Sequence, residues 1–110
     1  MKSSFYHIQI NIDFANVSFY KDLMTFLGWD VIFEMHDVIG YKTKKGGDLW
    51  FVAGIKQEQG DYDKTGVNHI SIRVGDMKDV DFVVGFLQRK NIPALFDTPR
   101  HRPEFSSSET

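Results

Sequence analysis

Phe5-Tyr6-His7-Ile8-Gln9-Ile10-Asn11-Ile12-Asp13 and Gly66-Val67-Asn68-His69-Ile70-Ser71-Ile72-Arg73-Val74 are two copies of one pattern. Each alternates apolar and polar residues with period two, the mark of a strand with one buried face. In the first copy Ile8, Ile10 and Ile12 share one face and His7, Gln9 and Asn11 the other. In the second, Ile70, Ile72 and Val74 oppose His69, Ser71 and Arg73.

The segment after each strand repeats as well. A helix is predicted over about Ala15–Leu27, with Val17, Tyr20, Met24 and Leu27 at helical spacing and Gly28 as its stop. Strands are predicted near Trp29–Met35, Val38–Lys44 and Leu49–Ala53, with Gly46-Gly47 turning between the last two. After the second opening strand, Asp76 caps a helix over about Met77–Lys90, in which Val80, Val83, Val84 and Leu87 form the buried stripe. Asn91 ends that helix in the left-handed region, and a short strand is expected over Ile92–Phe96. His7 matches His69 at an offset of 62 residues, as do Ile8/Ile70, Ile10/Ile72 and Ile12/Val74. One residue is then gained, and at 63 Asp13 matches Asp76, Val17 matches Val80, Phe19 matches Phe82 and Met24 matches Leu87. A repeat in register over a strand, a cap and a helix face constrains the whole fold. The chain therefore reads as an α+β protein of paired βαβββ modules on a curved, mostly antiparallel mixed sheet. Module one spans 4–54, a polar linker 55–65, and module two 66–110, incomplete at its C-terminal end. By the same offset the counterpart of Asp48–Ala53 falls past Thr110, so the expectation is a shortened form of a longer protein.

Size and composition fit that architecture. The chain has 110 residues, room for one domain with a real core. A net charge of −2, with one short basic run at Lys42–Lys45, argues against nucleic-acid binding. Cysteine is absent, which excludes disulfides and thiolate chemistry. No apolar run approaches the roughly 20 residues of a membrane span, and Met1–His7 lacks a signal-peptide core, so a cytoplasmic protein with no membrane partner is expected. Ten phenylalanines point either to a well-filled core or to a ring-lined ligand cavity.

His7-Ile8-Gln9-Ile10, Ser18-Phe19-Tyr20-Lys21-Asp22-Leu23 with Leu27-Gly28-Trp29, and Gly66-Val67-Asn68-His69-Ile70 with Leu87 through Pro93 resemble the vicinal oxygen chelate superfamily, which includes the glyoxalases, extradiol dioxygenases and bleomycin-resistance proteins. The resemblance implies an open cup whose concave face holds a divalent ion, with His7 and His69 as metal ligands. Zinc, nickel, manganese and iron all suit such imidazole sites. It further implies a small oxygen-rich substrate, and lyase, isomerase or dioxygenase chemistry on it. The alternative is a non-catalytic binder of the bleomycin-resistance type, which sequesters a small molecule or antibiotic between two chains. A homodimer is expected under either, since an incomplete module leaves a bare sheet edge.

The residues agree with the cup independently, because a face of His7, Gln9, Asn11, His69, Ser71 and Arg73 is too polar to be covered by an apolar helix. Gln9 and Asn11 can bind a carbonyl or water. Arg73 can grip an anionic substrate or pair with a rim carboxylate. On the strand over 48–53, Leu49, Phe51 and Ala53 share one face; Trp50 faces the cup, as a stacking wall or as packing. Asp48 is a weaker ligand candidate because it sits at the strand edge. His36 reads as a turn residue and His101 as a loop residue. Two departures from the family pattern stand out: Trp50 cannot bind metal, and the final glutamate-bearing strand is missing.

Overall fold

The computed structural model describes residues 1–54 and 64–94, together with the backbone of Arg100–His101 and Ser108–Glu109. The chain divides into two compact units, Met1–Asp61 and Tyr62–Thr110.

In the first unit β1 (His7–Ile12) alternates as its sequence dictates, with Ile8, Ile10 and Ile12 half-buried and His7, Gln9 and Asn11 exposed. Asp13 then turns the chain. Its carboxylate accepts the Ala15 N–H at 3.0 Å and starts a 3-10 turn, Phe14–Asn16. The helix proper, α1 (Val17–Leu27), therefore begins two residues later than the periodicity predicts. Gly28, at φ 82°, stops it: the Gly28 N–H donates to the Thr25 carbonyl and the Trp29 N–H to the Met24 carbonyl, both at 3.1 Å. That is a Schellman motif, and only a residue free of a Cβ enters it without cost.

Three strands come next: β2 (Asp30–Glu34), β3 (Val38–Lys42) and β4 (Asp48–Ala53). The sheet order is β1-β4-β3-β2, with β1 parallel to β4 and the other pairs antiparallel, and the β2–β3 register shifts between Val31 and Phe33. This is the mixed sheet that the paired-module pattern predicts for its first half. One face is covered by α1. Met24, Ile39, Tyr41, Leu49 and Phe51 form the buried core, with Ile8, Ile10, Ile12, Val17, Tyr20, Leu27 and Trp29 packed around it. The Tyr20 and Phe51 rings stack at 4.7 Å, and Tyr41 meets Phe51 edge-on at 6.1 Å. Burial pushes the Tyr41 phenol above its ordinary value of 10.0, and the carboxylates of Glu34 and Asp22 add to the rise.

The second unit carries α2 (Met77–Arg89). The Asp76 carboxylate accepts the Asp79 N–H at 3.1 Å, and that of Asp79 reaches back to the Gly75 N–H at 3.1 Å, a reciprocal cap built from two aspartates. Val80 and Phe86 are buried. At the far end Asn91 takes φ 59°, its N–H donates to the Gln88 carbonyl and the Ile92 N–H to the Leu87 carbonyl. These are the bonds that close α1, displaced by 63 residues, so the sequence repeat is also a repeat of local structure.

The second half departs from expectation in three places. Residues 67–74 belong to no strand, and Ile70 and Ile72 remain exposed. The reason is the ladder: β1 draws its hydrogen bonds from β4, and no strand among the described residues does the same for 67–74. Alternation prepares a face but supplies no neighbour. Residues 92–94 are likewise in no strand, and the rest of the predicted Ile92–Phe96 strand lies outside the described residues. His101, read as a loop residue, is in β5 (Arg100–His101), which pairs antiparallel with β6 (Ser108–Glu109) through His101↔Ser108 and Arg100↔Glu109. Most of the linker expected over 55–65 also falls outside the described residues. No helix among those described is long and apolar enough to cross a membrane.

Candidate functional site

The sheet face opposite α1 carries the polar residues of β1 and their neighbours in register. Paired residues on adjacent strands point to the same side. His7 pairs with Asp48, which pairs with Lys42. Gln9 pairs with Trp50, which pairs with Gly40, which pairs with Phe33. Asn11 pairs with Val52, and Val52 with Val38. The open face is thus a grid, polar on β1 and charged at one end, with rings across the middle.

A concavity of about 290 Å³ opens on this grid, lined by Tyr6, His7, Gln9, Asp48 and Trp50. The Asp48 N–H donates to the Tyr6 carbonyl at 3.0 Å, which fixes the start of β4 against the residue before β1. The Tyr6 and His7 rings lie 5.0 Å apart. Gln9 donates to the Asn11 side chain at 2.8 Å, so the two amides act as a coupled pair.

Trp50 owes its pose to a missing side chain. A Cβ on Gly40 would lie 2.8, 2.9 and 2.9 Å from three atoms of the indole. Near-equal distances to atoms spread over the ring mean that the indole lies broadside over Gly40, flat against the sheet. Its opposite face points away from the sheet, Trp50 as a whole is half-buried, and Phe33 sits beside it at 5.7 Å. Trp50 therefore lies on the sheet face opposite α1, the face away from Leu49 and Phe51.

The structure brings His7, Gln9 and Trp50 together, with Asn11 held through Gln9. It adds Asp48, a weaker candidate from sequence because of its place at the strand edge. In the fold that edge is the residue opposite His7. Tyr6 is missed because the alternation read over Phe5–Asp13 puts it on the Ile8 face, whereas β1 begins only at His7 and Tyr6 lies before it. The parallel register of β1 on β4 would have shown Asp48, but register is not written in either strand alone.

His69, Ser71 and Arg73 belong to the second unit and are exposed there. His69 Nδ1 lies 2.8 Å from the Asn68 side-chain oxygen. In the tautomer that donates through Nδ1, Nε2 keeps a lone pair for a ligand. His36 lies in the β2–β3 turn, exposed, 3.8 Å from Asp37, as a turn residue should. As for a divalent ion, His7 and Asp48 supply imidazole and carboxylate donors of the right chemistry from adjacent strands. Among the described residues no group of three or more His, Asp or Glu side chains comes together, so these two make part of a ligand set.

No protein-family model matches the sequence, and no curated protein matches it. Among solved structures, the crystal structure of a candidate glyoxalase from Bacillus halodurans superposes with a TM-score of 0.74. The two chains are 23% identical over 86% of this chain and 74% of that one. At that identity the likeness establishes the fold, which is glyoxalase-like.

Proposed function

We propose that the open sheet face around His7 is a small-molecule site of a glyoxalase-type metalloprotein acting on a small oxygen-rich substrate, and that His7 in the first unit and His69 in the second are each ligands of a divalent ion. The observation that carries this is the shared concavity: His7, Gln9, Asp48 and Trp50 meet on the sheet face opposite α1. When bound, such an ion is a Lewis acid for two adjacent substrate oxygens. Around it, Asp48 adds a carboxylate donor, the Gln9–Asn11 pair supplies amide hydrogen bonds, and Trp50 walls one side. Ser71 and Arg73, which share the polar side of their segment with His69, are proposed as ligand-binding residues of the second unit. Isothermal titration with nickel tests the proposal. Saturable binding that weakens at least about tenfold in both His7→Ala and His69→Ala supports it. Equal binding in wild type and both variants refutes it.

The broadside pose of Trp50 favours a second reading, a metal-free binder that presents a flat aromatic surface. Either reading fits a homodimer. β2 is exposed along its whole length and shows Val31, Ile32 and Phe33 to solvent, with Met35 just beyond it. Exposed apolar edge strands are ordinarily covered by a partner. Sedimentation equilibrium showing a dimer at micromolar concentration is the expected result, and a clean monomer the contrary one.

A further inference from the structure

We infer that the ligand of the open face includes a flat, positively charged ring, stacked on the outward face of Trp50 with its charge toward the Asp48 carboxylate. The inference rests on the metal-free reading and names its ligand class. Three observations support it. The indole is pressed flat over Gly40, so one π-face is used up and the other is presented as a platform parallel to the sheet. A cation over the face of a tryptophan is attracted by the ring quadrupole, more so than over tyrosine or phenylalanine. Asp48 sits two residues along the same strand, on the same side, and lines the same concavity, as does Tyr6.

Of the two charges at this end of the face, Asp48 lines the concavity and Lys42 does not. Lys42 stands opposite Asp48 in register, yet the two form no ion pair among the described residues, so the carboxylate keeps its charge available. No arginine lines the concavity. Gln9 on the far side offers an amide that can accept from, or donate to, a polar substituent of the ring. A neutral ring would gain the stacking alone. An anionic one would meet Asp48 directly.

The test uses the full chain, freed of metal by chelator, with 1-methylnicotinamide as the cationic probe and nicotinamide as its neutral counterpart. The chain has two tryptophans, so its indole N–H groups give two NMR signals, and Trp29→Phe assigns them. The cationic probe is expected to shift the Trp50 signal saturably and leave Trp29 still, with nicotinamide and the Asp48→Asn variant each about fivefold weaker. Saturation transfer to the probe should vanish in Trp50→Leu and persist in Trp50→Phe, which keeps a ring. Equal binding of nicotinamide, or undiminished binding in Asp48→Asn, overturns the cation while leaving a small-molecule face. No shift of Trp50 with either probe at tens of millimolar overturns both the inference and the metal-free reading beneath it.

Discussion

Gly40→Ala places a methyl group where the Trp50 indole now lies. The new carbon would stand 2.8–2.9 Å from three ring atoms, closer than any carbon contact tolerates. Gly40 is itself buried in β3 between β2 and β4, so the backbone has little room to yield, and the indole must tilt or lift off the sheet. Overpacking of this kind costs about 1–3 kcal/mol. Against it stands the gain from replacing a glycine inside a strand, about 0.5–1 kcal/mol. The single variant should therefore lose about 0–2.5 kcal/mol. Urea unfolding followed by circular dichroism measures this as a lower midpoint at unchanged slope. A double-mutant cycle isolates the cause. In a Trp50→Leu background the clash is gone, and Gly40→Ala should be neutral or stabilising by about 0.5 kcal/mol. The coupling between the two positions is then about 1–3 kcal/mol. If Gly40→Ala has the same effect in both backgrounds, the indole does not lie on Gly40, and the platform argument fails with it.

Met24 is 1% exposed at the centre of the core, so Met24→Ala should cost about 2–5 kcal/mol in the same unfolding assay. Gly28→Ala forces a Cβ into the left-handed conformation and should cost about 1–2 kcal/mol; Gly28→Asn should cost less, since Asn91 already takes that role at the end of α2. Because the folded state raises the Tyr41 pKa, unfolded chains lose the proton first as pH rises. The contribution is whole below pH 10.0 and drains away above it. Tyr41→Phe should therefore flatten the alkaline fall in urea midpoint while leaving the neutral-pH slope alone.

Much of this was legible in the chain because its signals are local. Asp76 reads as a cap and Gly28 and Asn91 as stops, and each is found in that role; Asp13, matched to Asp76 by the repeat, caps the 3-10 turn before α1. The face of β1 was legible for the same reason: period two states which residues lie together. Partnership between distant strands is not stated anywhere locally. Asp48 looks peripheral until the parallel ladder sets it beside His7, and Gly40 looks like an ordinary weak point in a strand until Trp50 is seen to need the space. The converse holds at 67–74, where the alternation is as clear as in β1 but no ladder forms among the described residues.

The most direct test of a metal site at the open face is a manganese titration followed on the histidine side-chain NMR signals. The chain has four histidines, His7, His36, His69 and His101, and a paramagnetic ion broadens those nearest to it first. His7 and His69 are each predicted to broaden at low metal concentration, while the exposed turn residue His36 stays sharp. Broadening of His36 or His101 ahead of His7, or a His7 signal that stays sharp, would contradict the claim that the open face around His7 binds a divalent ion.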